Sequence, residues 1–285
     1  MKLLNITLLI VQRVFEFFGG ISQYIAQTIA SLRFIKLIYK PIPTDVFIVT
    51  YPRSCTTWMQ MIIYQLISNG DLEFNHIGEK IPFFERIPFS NIRLKGLPNP
   101  RIFKTHLPYD KIPKGKCKYI YIMRNGMDVV LSYYHFYKSY LKYHNNFDAF
   151  FKKFLDGKLQ SKSWFNHVLG WYKVKENENV LFLHYEDLKN NFDATIVKIS
   201  NFLGIELNKD KLKIVKQNSE FDFMKNYEEK FDHANEILLT MGIKPKNFLR
   251  KGTSDYGKIE FDDKKIQLFE KKMDEIFKSK TIAKI

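Results

Sequence analysis

Four stretches of the chain are short, apolar and rich in β-branched or aromatic residues: 46–50 (Val-Phe-Ile-Val-Thr), 101–105, 118–123 and 180–184. Runs of this length without polar alternation predict strands buried on both faces. Between them the apolar positions fall at helical spacing. Trp58, Met61, Ile62 and Leu66 predict a helix after the first run, with Thr56 or Thr57 able to cap it and Asn69-Gly70 to end it. A second helix is expected from Asp128 towards Tyr140. A third starts near Asp148, carries Phe150, Phe151, Phe154 and Leu155 on one side, and stops at Gly157. Strand alternating with helix predicts an α/β fold with a mostly parallel central sheet covered on both faces. Ligands of such sheets sit where strands end and helices begin. With no repeat and no Pro/Gly/Ser-rich linker, one domain is expected over 1–285: a helical segment 1–40, a core 41–260 and a C-terminal helix 261–285.

The start of the chain adds a separate feature. Leu3 to Val11 is apolar apart from Asn5 and Thr7, and Arg13, Glu16 and Gly19-Gly20 follow. The run is too short to span a bilayer, and no clear small-residue cleavage site follows it. It reads as an amphipathic helix that either caps the domain or touches a membrane surface.

Composition narrows the partners. Apolar residues at 45% and aromatics at 16% of 285 residues exclude a disordered chain. The net charge of +15 points to anionic partners: nucleotides, nucleic acid or acidic lipid. No zinc-finger, RRM or helix-turn-helix signature is present, so no nucleic-acid partner is expected. Two cysteines, Cys55 and Cys117, make no disulfide framework and fit a reducing, cytoplasmic setting.

The chemistry concentrates after the first predicted strand, in Thr50-Tyr51-Pro52-Arg53-Ser54-Cys55-Thr56-Thr57-Trp58. A helix N-terminus offers unpaired N–H groups to an anion, and Arg53, Ser54, Thr56 and Thr57 add side-chain donors. No glycine occurs between Pro41 and Gly70, so this is not a triphosphate P-loop. The string resembles the 5′-phosphosulfate loop of the cytosolic sulfotransferase family, Tyr-Pro-Lys-Ser-Gly-Thr-Thr-Trp, with Arg53 for the lysine and Cys55 for the glycine. Arg53 keeps the charge but as a planar fork. Cys55 adds a Cβ, which is strained if the position has positive φ. A cysteine at a helix N-terminus beside a cation is also expected to have a lowered pKa.

Three further strings resemble the same family, in its order, so that the likeness runs from about 40 to 255. Lys104-Thr105-His106-Leu107-Pro108 matches a motif whose histidine is the general base, a role suited to imidazole. Arg124, with Ser132 eight residues later, matches the pair that holds the 3′-phosphate of the donor. Gly126 and Met127 replace the usual Pro (or Ala) and Lys of that motif. Arg250-Lys251-Gly252 matches a late basic turn that closes over the same phosphate.

The resemblance implies PAPS (3′-phosphoadenosine 5′-phosphosulfate) as donor, PAP as product and no metal. His106, Lys104, Arg53 and Ser132 become the catalytic candidates. The donor site is expected to comprise Arg53, Ser54, Cys55, Thr56, Thr57, Trp58, Arg124, Ser132, Tyr185, Ser219, Phe221, Arg250, Lys251 and Gly252. Phe84, Phe89, Phe136 and His106 are expected to line a pocket for a small apolar acceptor with a hydroxyl or amine. The family's Lys-x-x-x-Thr-Val dimer motif is absent, because Asp262-Asp263 follow Lys258-Ile259-Glu260-Phe261, which leaves the oligomeric state open. Two alternatives stand beside this reading: a catalytically impaired relative that still binds PAP or PAPS, and, more remotely, a P-loop-type kinase.

Overall fold

The computed structural model describes residues 2–17, 21–90, 92–232, 248–249 and 261–277. Its centre is a parallel four-stranded sheet: β1 (Val46–Thr50), β2 (Ile102–Thr105), β3 (Lys118–Met123) and β4 (Val180–His184), in the order β2-β1-β3-β4. Three strands have the predicted bounds. The second begins one residue late, because Arg101 turns aside to grip the buried Asp45, with Nε–Oδ1 and Nη2–Oδ2 both 2.7 Å.

Side-chain alternation divides the core in two. Phe47, Val49, Phe103, Tyr119 and Tyr121 face one side. There they meet α4 (Gly126–Tyr140), α5 (Phe147–Leu155), α6 (Trp164–Tyr172) and α11 (Asp263–Phe277). Val46, Ile48, Ile102, Ile120 and Ile122 face α3 (Thr56–Ser68), α8 (Phe192–Leu203) and α9 (Lys209–Ser219) on the other. One layer is therefore mainly aromatic and the other aliphatic. Both faces are covered, which is why the strands read as unbroken apolar runs.

Helix starts differ slightly from expectation, for local reasons. Asn125 accepts from Met127 N–H at 2.9 Å and starts α4 at Gly126. Asn146 accepts from Ala149 N–H at 3.0 Å and starts α5 at Phe147. Gly126 itself is required: a Cβ there would lie 2.5 Å from Phe269 and 2.9 Å from Trp164. The C-terminal helix α11 thus reaches the turn after β3 through the space a side chain would fill.

The N-terminal segment forms two helices, α1 (Lys2–Phe17) and α2 (Ile21–Arg33), packed on one another. A π-helical turn at Phe34–Ile38 then seats Phe34 and Tyr39 against Phe84. Two short helices complete the rim, α7 (Tyr185–Asn190) beside β4 and α10 (Phe221–Asn226) beside α9.

Candidate active site

All four strands point their C-terminal ends at one cavity of 730 Å³. The sheet order distributes the chemistry across it. β2 brings Lys104 and His106, β1 the loop into α3, β3 Arg124, and β4 Tyr185. Adjacent strands lie about 4.8 Å apart, so the outer two are separated by roughly 14 Å.

The loop between β1 and α3 is held in two left-handed residues, Arg53 (φ 69°) and Cys55 (φ 61°). Each non-glycine residue in that region costs about 1 kcal/mol. The turn brings the start of α3 up to the strand end, where Thr56 Oγ1 and Thr50 Oγ1 lie 2.5 Å apart. Ser54 Oγ is buried and has no partner among the described residues. The N-terminus of α3 fits an oxyanion through Arg53, Thr56 and Thr57, which line the cavity. Cys55 departs from its sequence expectation. Burial pushes its thiol up to about 12, outweighing the nearby Arg124, so it stays protonated.

At the β2 end one ionisable group is buried and two are half-buried. Lys104 is only 2% exposed, and burial draws its ammonium down to about 7. Burial and the Lys104 charge push His106 down to about 3, leaving it neutral at pH 7. His106 Nδ1 lies 2.9 Å from the Thr50 carbonyl, which can only accept, so Nδ1 carries the proton. The basic lone pair is then on Nε2.

Two residues without a sequence signal fix this histidine's backbone. Glu85 Oε1 accepts from His106 N–H at 2.9 Å, and burial pushes the Glu85 carboxyl up to about 7. His167 Nε2–H donates to the His106 carbonyl at 3.2 Å, while its Nδ1 accepts from the Tyr121 hydroxyl at 3.1 Å. They stand 21 and 61 positions from His106, and no local pattern links them to it.

At the β3 end the charges keep polar partners. Arg124 donates to the Arg53 carbonyl at 3.2 Å, lies 3.8 Å from Asp128 and stacks 4.6 Å over Tyr185. Arg53 donates to Ser132 Oγ at 3.2 Å and to the Phe248 carbonyl at 3.1 Å. Its guanidinium sits between the rings of Phe136 and Phe248, at 5.2 and 5.1 Å. Burial draws Arg53 down to about 10, which still leaves it charged at neutral pH. Trp58 donates to the Ser219 carbonyl at 2.8 Å and packs against Tyr185 and Phe192.

Arg53, Cys55, Thr56, Thr57, Trp58, Lys104, His106, Arg124, Ser132, Phe136, Tyr185, Ser219 and Phe221 all line this one cavity. Ser54 does not line it, because its side chain is turned inward. Two of the expected pocket residues are misplaced. Phe84 is fully buried in the aromatic core against Phe34, Tyr39, Phe47 and Phe103. Phe83, bridged to Lys104, lines the cavity instead. Phe89 is 45% exposed on the surface and lines no part of it. Arg250, Lys251 and Gly252 lie outside the described residues.

Comparison with known proteins defines the class. The sulfotransferase domain family matches residues 43–281, and the chain belongs to that family. Amine sulfotransferase of rabbit (Oryctolagus cuniculus) is 37% identical over 221 residues, 73% of this chain and 72% of its own. Sulfotransferase 1B1 of mouse (Mus musculus) is 36% identical over 230 residues, 75% of this chain and 76% of its own. Among solved structures, mouse sulfotransferase SULT7A1 complexed with PAP aligns at a TM-score of 0.69. It is 29% identical and covers 88% of this chain and 89% of that one. Within the family, these relatives group the chain with the cytosolic type.

Proposed function

We propose that the chain transfers the sulfuryl group of PAPS to a hydroxyl or amine of a small acceptor, with His106 as general base. The observation that carries this is the convergence on one cavity of a neutral histidine with a free Nε2, a buried lysine and two arginines. His106 Nε2 takes the acceptor proton as the acceptor oxygen or nitrogen bonds to sulfur. The bond from sulfur to the phosphate oxygen breaks, and PAP leaves. Lys104 and Arg53 stabilise the charge that builds on the transferring group and the leaving phosphate. Ser132 and Arg124 hold the 3′-phosphate, and Trp58, Tyr185, Ser219 and Phe221 border the adenine. Phe83, Phe136 and Leu107 give the acceptor its apolar contacts, and the protein works in the cytoplasm.

Burial is the larger cause of the low basicity of His106, and the Lys104 charge comes second. The negative charge of a bound donor offsets the second cause and so raises the basicity of Nε2. A PAPS-dependent transfer assay across phenols, alcohols, steroids and amines, run beside PAP and ATP titrations, tests the proposal. Stabilisation by PAP with turnover of at least one acceptor class is the expected result. PAP binding without turnover on any acceptor selects the impaired relative, a reading favoured by the engagement of Arg53 with Ser132 and Phe248. Stabilisation by ATP but not by PAP overturns both.

A further inference from the structure

The helices around the sheet bury most of their apolar side chains, but among its described apolar side chains α1 leaves four exposed. Ile6, Ile10 and Val14 recur at every fourth position and so form one stripe; they are 54, 59 and 49% exposed. Leu4 is exposed as well, as are Leu32 on α2 and Ile38 and Ile42 just after it. Interleaved with the last two are the exposed Lys36 and Lys40. Residues 1–44 hold five basic residues (Lys2, Arg13, Arg33, Lys36 and Lys40) and one acidic residue, Glu16.

An apolar stripe joined to a surplus of positive charge is the make-up of a helix that lies in a lipid interface. No described helix is long and apolar enough to cross a membrane, so the geometry is that of lying on one. A second copy of the chain would complement the stripe but oppose the charge with its own. An anionic bilayer complements both. The pair of helices is also fastened to the rest of the protein. Ser31 Oγ donates to the Glu85 carbonyl at 3.0 Å, and the Phe34 ring packs 5.3 Å from that of Phe84.

We infer that the α1–α2 pair docks the protein on an anionic bilayer surface, with Ile6, Ile10 and Val14 among the acyl chains and Lys36 and Lys40 over acidic headgroups. The inference does not depend on the reaction proposed above. Its test is co-sedimentation of the full chain with phosphatidylcholine vesicles and with mixed phosphatidylcholine–phosphatidylserine vesicles. Binding to the mixed vesicles should be about tenfold stronger than to the neutral ones and should fall with added salt. The Ile6→Asp/Ile10→Asp variant should lose binding to both. The Lys36→Glu/Lys40→Glu variant, which leaves the packing of α1 on α2 alone, should lose only the preference for the acidic vesicles. Wild-type protein that stays in the supernatant with mixed vesicles overturns the inference. So does equal binding by the wild type and Ile6→Asp/Ile10→Asp. A wild-type dimer that this variant converts to monomer, with no vesicle binding, assigns the stripe to an interface between copies and also overturns it.

Discussion

The two ends of the cavity are built on opposite electrostatic terms. At the β2 end, Lys104 is buried and His106 and Glu85 are half-buried, and desolvation pushes each towards its neutral form. At the β3 end, Arg124 keeps Asp128, a backbone carbonyl and the face of Tyr185. Burial makes an ionisable side chain responsive to whatever charge enters, whereas existing partners make it a fixed anchor. One strand end is thus suited to moving a proton and another to holding an anion. The distinction follows from burial and partners, since both ends draw on ordinary basic residues.

The sharpest test removes the proton acceptor. His106→Ala should lower kcat by about 10²- to 10⁴-fold while PAP affinity, measured by titration calorimetry, stays within about twofold. Turnover within a few fold of wild type would take His106 out of the base role. Next in size is Arg124→Ala, which removes charge-assisted hydrogen bonds worth about 1.5–3 kcal/mol and should raise the Kd for PAP by roughly 10- to 100-fold. If it abolished turnover with PAP affinity intact, the division between anchor and proton-handling ends would be wrong.

A third test uses acid. Burial holds His106 near 3 and both His167 and His76 near 4, below the ordinary histidine value of about 6.5. Between those values and 6.5 the unfolded chain binds more protons than the folded one, so stability falls as pH drops through that window. Glu85, raised to about 7, acts in the opposite sense, but as one group against three. The melting temperature should therefore fall between pH 6.5 and 4. A flat profile would mean that these imidazoles are open to water. The smallest effect is expected from Cys55→Gly, which removes a side chain from a left-handed position and should stabilise the fold by up to about 1 kcal/mol in urea unfolding.

The strands were legible because each is buried on both faces and so leaves an unbroken apolar run in the sequence. The loop and strand-end residues were legible because one-dimensional strings carry them. Three things were hidden. The Phe83–Phe84 assignment slipped by one because that segment is irregular, and only its bridge to Lys104 shows which ring turns to the cavity. Glu85 and His167 reach His106 through backbone contacts across the fold, which no spacing rule detects. The Cys55 thiol was misjudged because helix position and a nearby cation are visible in sequence, while the desolvation that overrides them is not.

The missing side chain at Gly126 carries a consequence for assembly. Phe269 and Trp164 occupy the space beside it, so the turn that presents Arg124 and starts the helix of Ser132 leans on a segment made late in synthesis. On the ribosome, the first three strands and the first loop emerge more than a hundred residues before that support arrives. Until position 269 clears the exit tunnel, the nascent chain has its strands but not the full buttress behind its anion-holding turn, so competence for donor binding should come as one of the last events of folding.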